Sequence, residues 1–508
     1  LPGKLDTWAG SGPQPFEIFF NLKKVAPRGE CLLLLDFLDT HSFKPPQIRV
    51  QVNHQVFEHQ TESGNNDWLM AAANGSGREY MATFQVPVSA LKEGENRIRI
   101  TASGGSWALW DAVRFEVPDG VVAGTLHTGT AIRSVKQKQL LVRKGDTLWK
   151  PLELEIMHTG NALKASIRTS ISAPEDLDLI PGVHRVEVWI PDTGEEEEVM
   201  LEIYFGNNLF TRTITMVHPV RKWEVHLIHQ THLDIGFTHT QEEVLEMQTG
   251  YLDQVLGLIE RTKDYPEEAR FRWHPEGMWA IDEFLQTASG EKQQQFMEAL
   301  QNQTIHLDAF YVHLLTGLAT GEELLELIQP AKEFEKAYGM PVKTAIGSDI
   351  PGYSWGLVTA MALQGIKFFN MAPNNNHRLG HLFHWADKPF YWLSPDGHPR
   401  VLTWMASHAY IYFWDQDEGI YRVPRFLNYL EESGFPYDIA MLRYEIGGDN
   451  GYPDPSLPDK VRAWNEKYAY PKIILSTNSR LYDAFTGRYE DEIPVVSGDL
   501  TPYWEDGA

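Results

Sequence analysis

The hydrophobic period of this chain changes once, near residue 222, and no other feature constrains its fold as strongly. Before that point apolar residues alternate over short runs, at 17–20, 48–52, 82–86 and 97–100, with turn residues at Gly94, Gly104 and Gly120. Period-two alternation punctuated by glycine is the pattern of half-buried strands. Pro118 to Gly120 reads as a boundary, and further strand-like runs follow at 140–142, 152–156, 165–170, 186–190 and 200–205. The prediction is two all-β sandwiches in series, one over 1–120 and one over 121–222.

After Arg221 the rhythm becomes strand, then helix. Strands are expected at 225–228, 270–273, 304–307, 343–346, 367–370, 401–404, 439–443 and 472–475. Helical spacing runs over 242–261, 279–300, 321–337, 355–364, 422–432, 456–467 and 478–485. This alternation predicts a parallel sheet or barrel over 223–508, with its active site beyond the carboxyl ends of the strands. The 508 residues suit about three domains.

Charge narrows the partners. Lys plus Arg number 44 and Asp plus Glu 69, a net −25 that repels phosphate backbones and anionic headgroups. Neither nucleic acid nor a membrane is an expected partner, and no run of apolar residues is long enough to span a bilayer. The single cysteine, Cys31, heads an apolar run and is expected in the core. The chain starts at Leu1 without a basic, then apolar, leader. Either a leader has been removed or the sequence starts inside a longer gene product; a secreted or extracytoplasmic protein is the expectation, with a cytoplasmic one the alternative.

Polar residues stand at nearly every strand end. They are His229, His232 and Asp234; His274 and Glu276; Asp308 and His313; Asp349; Asn370 with Asn374 to Asn376; His408; Glu445 with Asp449; and Asn478. His232 and Asp234, at i and i+2, can point to one side of an extended segment and offer a nitrogen and a carboxylate oxygen to a metal such as zinc. The same spacing also suits a hydrogen bond that ties down a loop. Asp349 follows a buried strand on a Pro-Gly loop, placed for general acid/base work or for accepting a sugar hydroxyl; Ser354 is the better helix cap. Asp449 lies among Gly447, Gly448 and Gly451, which suit either close ligand approach or an ordinary turn. Tyr353 and Trp355 are candidates to stack on sugar rings, as His274, Glu276 and His313 are to bind them.

These motifs resemble glycoside hydrolase family 38, the α-mannosidases, and a family-38-like branch of it. The resemblance begins near Trp223. Residues 225–237, with His232-Leu233-Asp234, look like the family's opening strand and His-x-Asp zinc motif. Residues 347–354 look like its Asp-Pro-Phe-Gly-His-Ser region, with Asp349 at the aspartate, and Gly448-Asp449-Asn450 resembles a later Gly-Asp-Asp segment. The resemblance implies a seven-stranded α/β barrel, a zinc ion gripping sugar hydroxyls, and a retaining mechanism with two carboxylates. Phe237 stands where much of the family stacks a tryptophan on sugar. The aspartate that serves the family as nucleophile and zinc ligand falls on Leu315 or Thr316, and neither is a carboxylate. A further zinc-binding histidine, after the barrel, has no counterpart beyond His408, so additional C-terminal domains of the same gene product are expected, and without them the resemblance implies weak zinc binding or none. Residues 14–117 resemble the carbohydrate-binding-like sandwich of rhamnogalacturonan lyases through Gly77 to Pro87, Leu91 to Ile98 and Trp110-Asp111. That tilts the expected substrate toward plant-type polysaccharide.

The leading expectation is therefore a metal-assisted glycoside hydrolase acting on a terminal sugar. His232 and Asp234 would hold the metal, Asp349 would act as proton donor, and Asp308 or Asp449 would be the second carboxylate. The alternatives are a sugar-binding relative that has lost hydrolysis, and a polysaccharide lyase or deacetylase on similar substrates.

Overall fold

A computed structural model describes residues 1–6, 9, 14–65, 77–124, 129–350, 352–373, 384–406 and 419–501. Pro351, Asn374 to Asn376, His408 and the last residues from Pro502 lie outside the described residues.

The first part of the chain is built from antiparallel sheets. In one, Gln55–Gln60, Gln47–Val52, Gly94–Gly104, Phe16–Lys24 and Val122–Gly124 pair in that order; in the other, Glu30–Thr40 lies between Tyr80–Pro87 and Ala108–Glu116. Alternation decides which side chains meet. Cys31, Leu33, Leu35 and Phe37 join Ile48, Val50, Ile98 and Ile100 in one core, all at most 1% exposed. A second pair of sheets follows. Thr147–His158 pairs with Gly182–Pro191, Val142–Lys144 and Thr130–Gln137; Leu163–Thr169 and Glu197–Phe205 centre the other. Their core holds Leu152, Leu154, Ile156, Ile167, Val188 and Leu201. Both regions are sandwich-like.

From Glu224 the strands become parallel. Glu224–His229 lies between Ile439–Tyr444 and Lys472–Leu475. Thr344–Ser348, Phe368–Ala372 and Arg400–Met405 form a second parallel set. Thr344–Ser348, Phe368–Ala372 and Ile439–Tyr444 are buried along their whole length, as strands covered on both faces must be. The strands expected at 270–273 and 304–307 are reduced to single parallel bridges, Gln230 with His274 and Trp273 with Ile305. Two strands escape the sequence pattern. Phe390–Leu393 pairs antiparallel to Arg400–Met405 and parallel to Val495–Ser497.

The helices follow their caps. Gln241–Thr262 starts at a Thr240–Glu243 capping box. The helix expected over 279–300 is two, Trp279–Thr287 and Gly290–Gln301, because the Ser289 hydroxyl caps the second. That expected over 321–337 also divides, into Gly321–Glu326 and Gln329–Tyr338, with Pro330 in the first turn of the latter. No described helix is long and apolar enough to cross a membrane.

Candidate active site

His232, Asp234, Asp349 and Glu276 converge on one point beyond the carboxyl ends of the parallel strands. His232 follows Glu224–His229 by three residues and is 1% exposed. Its Nε2 lies 3.2 Å from Asp234 Oδ1 and 3.7 Å from Asp349 Oδ2. Its Nδ1 lies 2.8 Å from Glu276 Oε2. Asp349 leaves Thr344–Ser348 with φ of 54°, a left-handed backbone uncommon outside glycine, and its N–H donates to Ala372 O at 2.9 Å.

Glu276 is the hub beneath the imidazole. Its Oε2 also accepts from Leu233 N–H at 2.9 Å and lies 2.9 Å from His313 Nε2. Its Oε1 accepts from the Ser348 hydroxyl and sits 3.6 Å from Arg443 Nη2. Arg443, fully buried, reaches back with Nε to Gln230 Oε1 at 2.7 Å and Nη1 to Gly347 O at 3.0 Å. Burial opposes ionisation of Glu276, but the facing imidazoles of His313 and His232 outweigh it and hold the carboxyl well below its usual range. Burial likewise opposes charge on His232, yet Asp234, Asp349 and Glu276 raise it well above the ordinary imidazole value.

The loop after Ile439–Tyr444 pins this arrangement from above. Glu445 Oε1 accepts from the His232 N–H at 2.6 Å and the Gly451 N–H at 3.0 Å. Complete burial pushes its carboxyl up to about 8, and Oε2 has no hydrogen-bond partner among the described residues. Asn450, also left-handed at φ 57°, clamps the loop of Asp234: its Oδ1 accepts from Asp234 N–H at 3.1 Å, and its Nδ2 donates to Asp234 O at 3.0 Å. Gly447 and Gly448, at φ 90° and 82°, allow the chain to double back here. Asp449 is half-buried on this loop.

The donor set fits a divalent cation. Ligand atoms about 2.0–2.2 Å from a tetrahedral zinc stand roughly 3.3–3.6 Å apart. The separations from Nε2 of 3.2 and 3.7 Å bracket that, and all three donor atoms lie within 4.8 Å of one another. A carboxylate on the far nitrogen of the imidazole, as Glu276 provides, is the usual support of a metal-bound histidine.

Other expected site residues are placed elsewhere. Asp308 and His274 form a separate buried group with His306. Asp308 accepts from Thr344 Oγ1 at 2.6 Å, Asn478 Nδ2 at 3.0 Å and His274 Nδ1 at 3.1 Å, so its oxygens are spent on interior donors. Tyr353 is 1% exposed and packs edge-on against Phe369 with centroids 4.7 Å apart, a core position rather than a stacking platform. Trp355 is half-buried, its indole N–H held by Leu393 O at 2.8 Å. His313 does reach the site, through Glu276, and Phe237 is 79% exposed on the loop after Asp234. Of the two residues expected to stand in place of the family's nucleophile, Leu315 is 49% exposed and the buried Thr316 accepts from Ser354 N–H at 2.8 Å. Glu445 and Asn450 carry positioning roles that spacing alone does not signal, although both lie on the glycine-rich loop at a strand end.

Residues 222–506 match the model of the glycosyl hydrolases family 38 N-terminal domain, and residues 5–115 match that of polysaccharide lyase family 4, domain III, a carbohydrate-binding-module-like domain. The chain belongs to glycosyl hydrolase family 38. Among solved structures it is similar to an α-mannosidase from Enterococcus faecalis V583, at 18% identity and a TM-score of 0.45 over 55% of this chain and 31% of that one. A family 38 protein from Enterococcus faecalis gives 18% and 0.40, over 55% and 29%. A 4-α-glucanotransferase from Thermococcus litoralis gives 15% and 0.38, over 56% and 43%. The chain thus spans under half the length of these structures. No curated protein matches it.

Proposed function

We propose that this protein is a metal-assisted glycoside hydrolase whose metal, zinc, is held by His232, Asp234 and Asp349. The observation that carries this reading is the convergence of one imidazole nitrogen and two carboxylate oxygens, 3.2 and 3.7 Å apart, over a histidine braced by Glu276. When bound, the cation supplies Lewis-acid affinity for sugar hydroxyls. Asp349 stands in the coordinating role that the family gives to the aspartate replaced here by Leu315 or Thr316. Asp449, half-buried on the glycine loop, is the proposed proton donor. Phe237 offers an exposed ring to a sugar face. Closure of the parallel strands into a seven-stranded barrel belongs to the same proposal, as do a plant-type polysaccharide substrate and an extracytoplasmic location. The likeness of residues 5–115 to a polysaccharide lyase domain supports the substrate.

The test joins metal analysis to a screen of α-linked aryl glycosides and pectic oligosaccharides. Near-stoichiometric zinc in the wild type and its loss in Asp349→Asn are expected. Turnover should fall roughly a hundredfold or more in the same variant. Unchanged zinc and turnover in folded Asp349→Asn would remove Asp349 from the site. The absence of a carboxylate at Leu315 and Thr316 favours a second reading, sugar binding without cleavage. Zinc and glycan binding with no product from any glycoside would establish it.

A further inference from the structure

A polar cleft lies on the outer face of the first sheet pair. In Gln47–Val52 and Gly94–Gly104 the alternate residues Ile48, Val50, Ile98, Ile100 and Ala102 turn inward and are at most 1% exposed. Arg49, Gln51, Arg99, Thr101 and Ser103 therefore face outward. The register sets Arg49 opposite Thr101 and Gln51 opposite Arg99. With Lys4 these residues line a cleft of about 530 Å3, a volume usual for ligand sites.

The chemistry of the cleft runs against that of the chain. Three cations and no carboxylate line it, on a molecule of net charge −25. Lys4 and Arg49 make no ion pair with any described residue. Arg99 gives Nε to Glu17 Oε1 at 2.8 Å, and that carboxylate also lies 3.5 Å from Arg97. On the far side Glu58 stands opposite Arg49 and accepts from Gln47 Nε2 at 3.3 Å. Arg133, stacked on Phe19, and Glu95 share this face with Arg97 and Arg99, so five cations against three carboxylates leave it positive. Thr101 and Ser103 donate their hydroxyl protons to backbone carbonyls, at 3.3 and 3.2 Å, so their lone pairs are turned to incoming hydroxyl donors.

We propose that this cleft binds a polysaccharide bearing carboxylates, a polyuronate. Guanidinium groups pair with carboxylates through two parallel hydrogen bonds, and Gln51, Thr101 and Ser103 suit the neutral hydroxyls of the same chain. The distant negative charge of the molecule is screened beyond about 8 Å at physiological salt, so a ligand inside the cleft meets chiefly these cations. The inference deepens the proposed function and rests on it only for the ligand's being a carbohydrate.

Affinity electrophoresis of the full chain tests it, with polygalacturonate, fully methyl-esterified polygalacturonate and dextran sulfate as probes. Polygalacturonate should retard the wild type. Esterification, Arg49→Gln and Lys4→Gln should each weaken retardation about fivefold or more, with near-ultraviolet circular dichroism unchanged in the variants. No retardation, equal retardation by the esterified polymer, or undiminished retardation of a variant carrying both Lys4→Gln and Arg49→Gln would overturn it. So would retention by dextran sulfate equal to that by polygalacturonate, which marks a general polyanion surface. Asp349→Asn should bind polygalacturonate as the wild type does. An inactive wild type that still binds would therefore sink the hydrolase reading and leave this one standing.

Discussion

At the residue scale, the site depends on groups that never meet a substrate. Glu276 holds the Nδ1 side of His232, which leaves Nε2 directed at Asp234 and Asp349. Glu276→Gln keeps the shape but replaces one accepting oxygen by a donor. Zinc affinity should fall about 10–100-fold, as for other supports of metal-bound histidines, and competition with a chelator measures it. The sequence shows His232, Asp234, Asp349 and Glu276 as polar residues at strand ends, and their convergence follows from the parallel order of the strands. It shows His274 and Asp308 in the same way. Whether such a residue points outward to the mouth or inward to Thr344 and Asn478 depends on strand stagger, which no local pattern carries.

At the scale of elements, Gly347 and Tyr353 show how tightly the strand Thr344–Ser348 is packed against the segment that follows it. A Cβ at Gly347 would stand 2.1 Å from the Tyr353 hydroxyl oxygen. That hydroxyl is buried with no hydrogen-bond partner among the described residues. Gly347→Ala should cost about 1–3 kcal/mol through overpacking. Tyr353→Phe should be near neutral, since it removes a buried polar group that pairs with nothing. Combining the two should recover most of the loss, as read by urea unfolding of the single and double variants. The long helices Gln241–Thr262 and Leu457–Lys467 are legible from their periodicity. The breaks at Ser289 and Pro330 are legible only in hindsight, because the apolar period runs through both and only the caps interrupt it. Phe390–Leu393 and Val495–Ser497 are short and take their conformation from their neighbours.

For the whole molecule, stability should depend on pH through buried histidines away from the candidate metal site. Burial lowers His226 to about 3 and His306 to about 4, with the facing arginines of His226 adding to the effect. Free imidazoles in the unfolded chain titrate near 6.5. As pH falls below that value the unfolded state takes up protons first, so stability rises with pH across this window and is complete above it. Each such group contributes a slope of up to about 1.4 kcal/mol per pH unit. Urea midpoints should fall steadily from pH 7 to pH 4.5, and His226→Gln should flatten the curve by one group's share. An unchanged slope in that variant would show that His226 is not kept neutral.

Three backbone hydrogen bonds between Leu141 and the segment before Lys472–Leu475 join different parts of the chain. Leu141 N–H donates to Tyr470 O, and Ala469 N–H to Leu141 O, both at 2.8 Å, and Tyr470 N–H donates to the same Leu141 O at 3.3 Å. The neighbouring Leu140 is buried in the same core as Trp223, Val225 and Ile439. A protein engineer who trims everything ahead of Trp223 to obtain the family 38 region alone would pull a plug from that core and strip a seam of its partner. Grafting the family 38 portion onto foreign modules would thus require carrying this short stretch along, whatever the sandwiches themselves do.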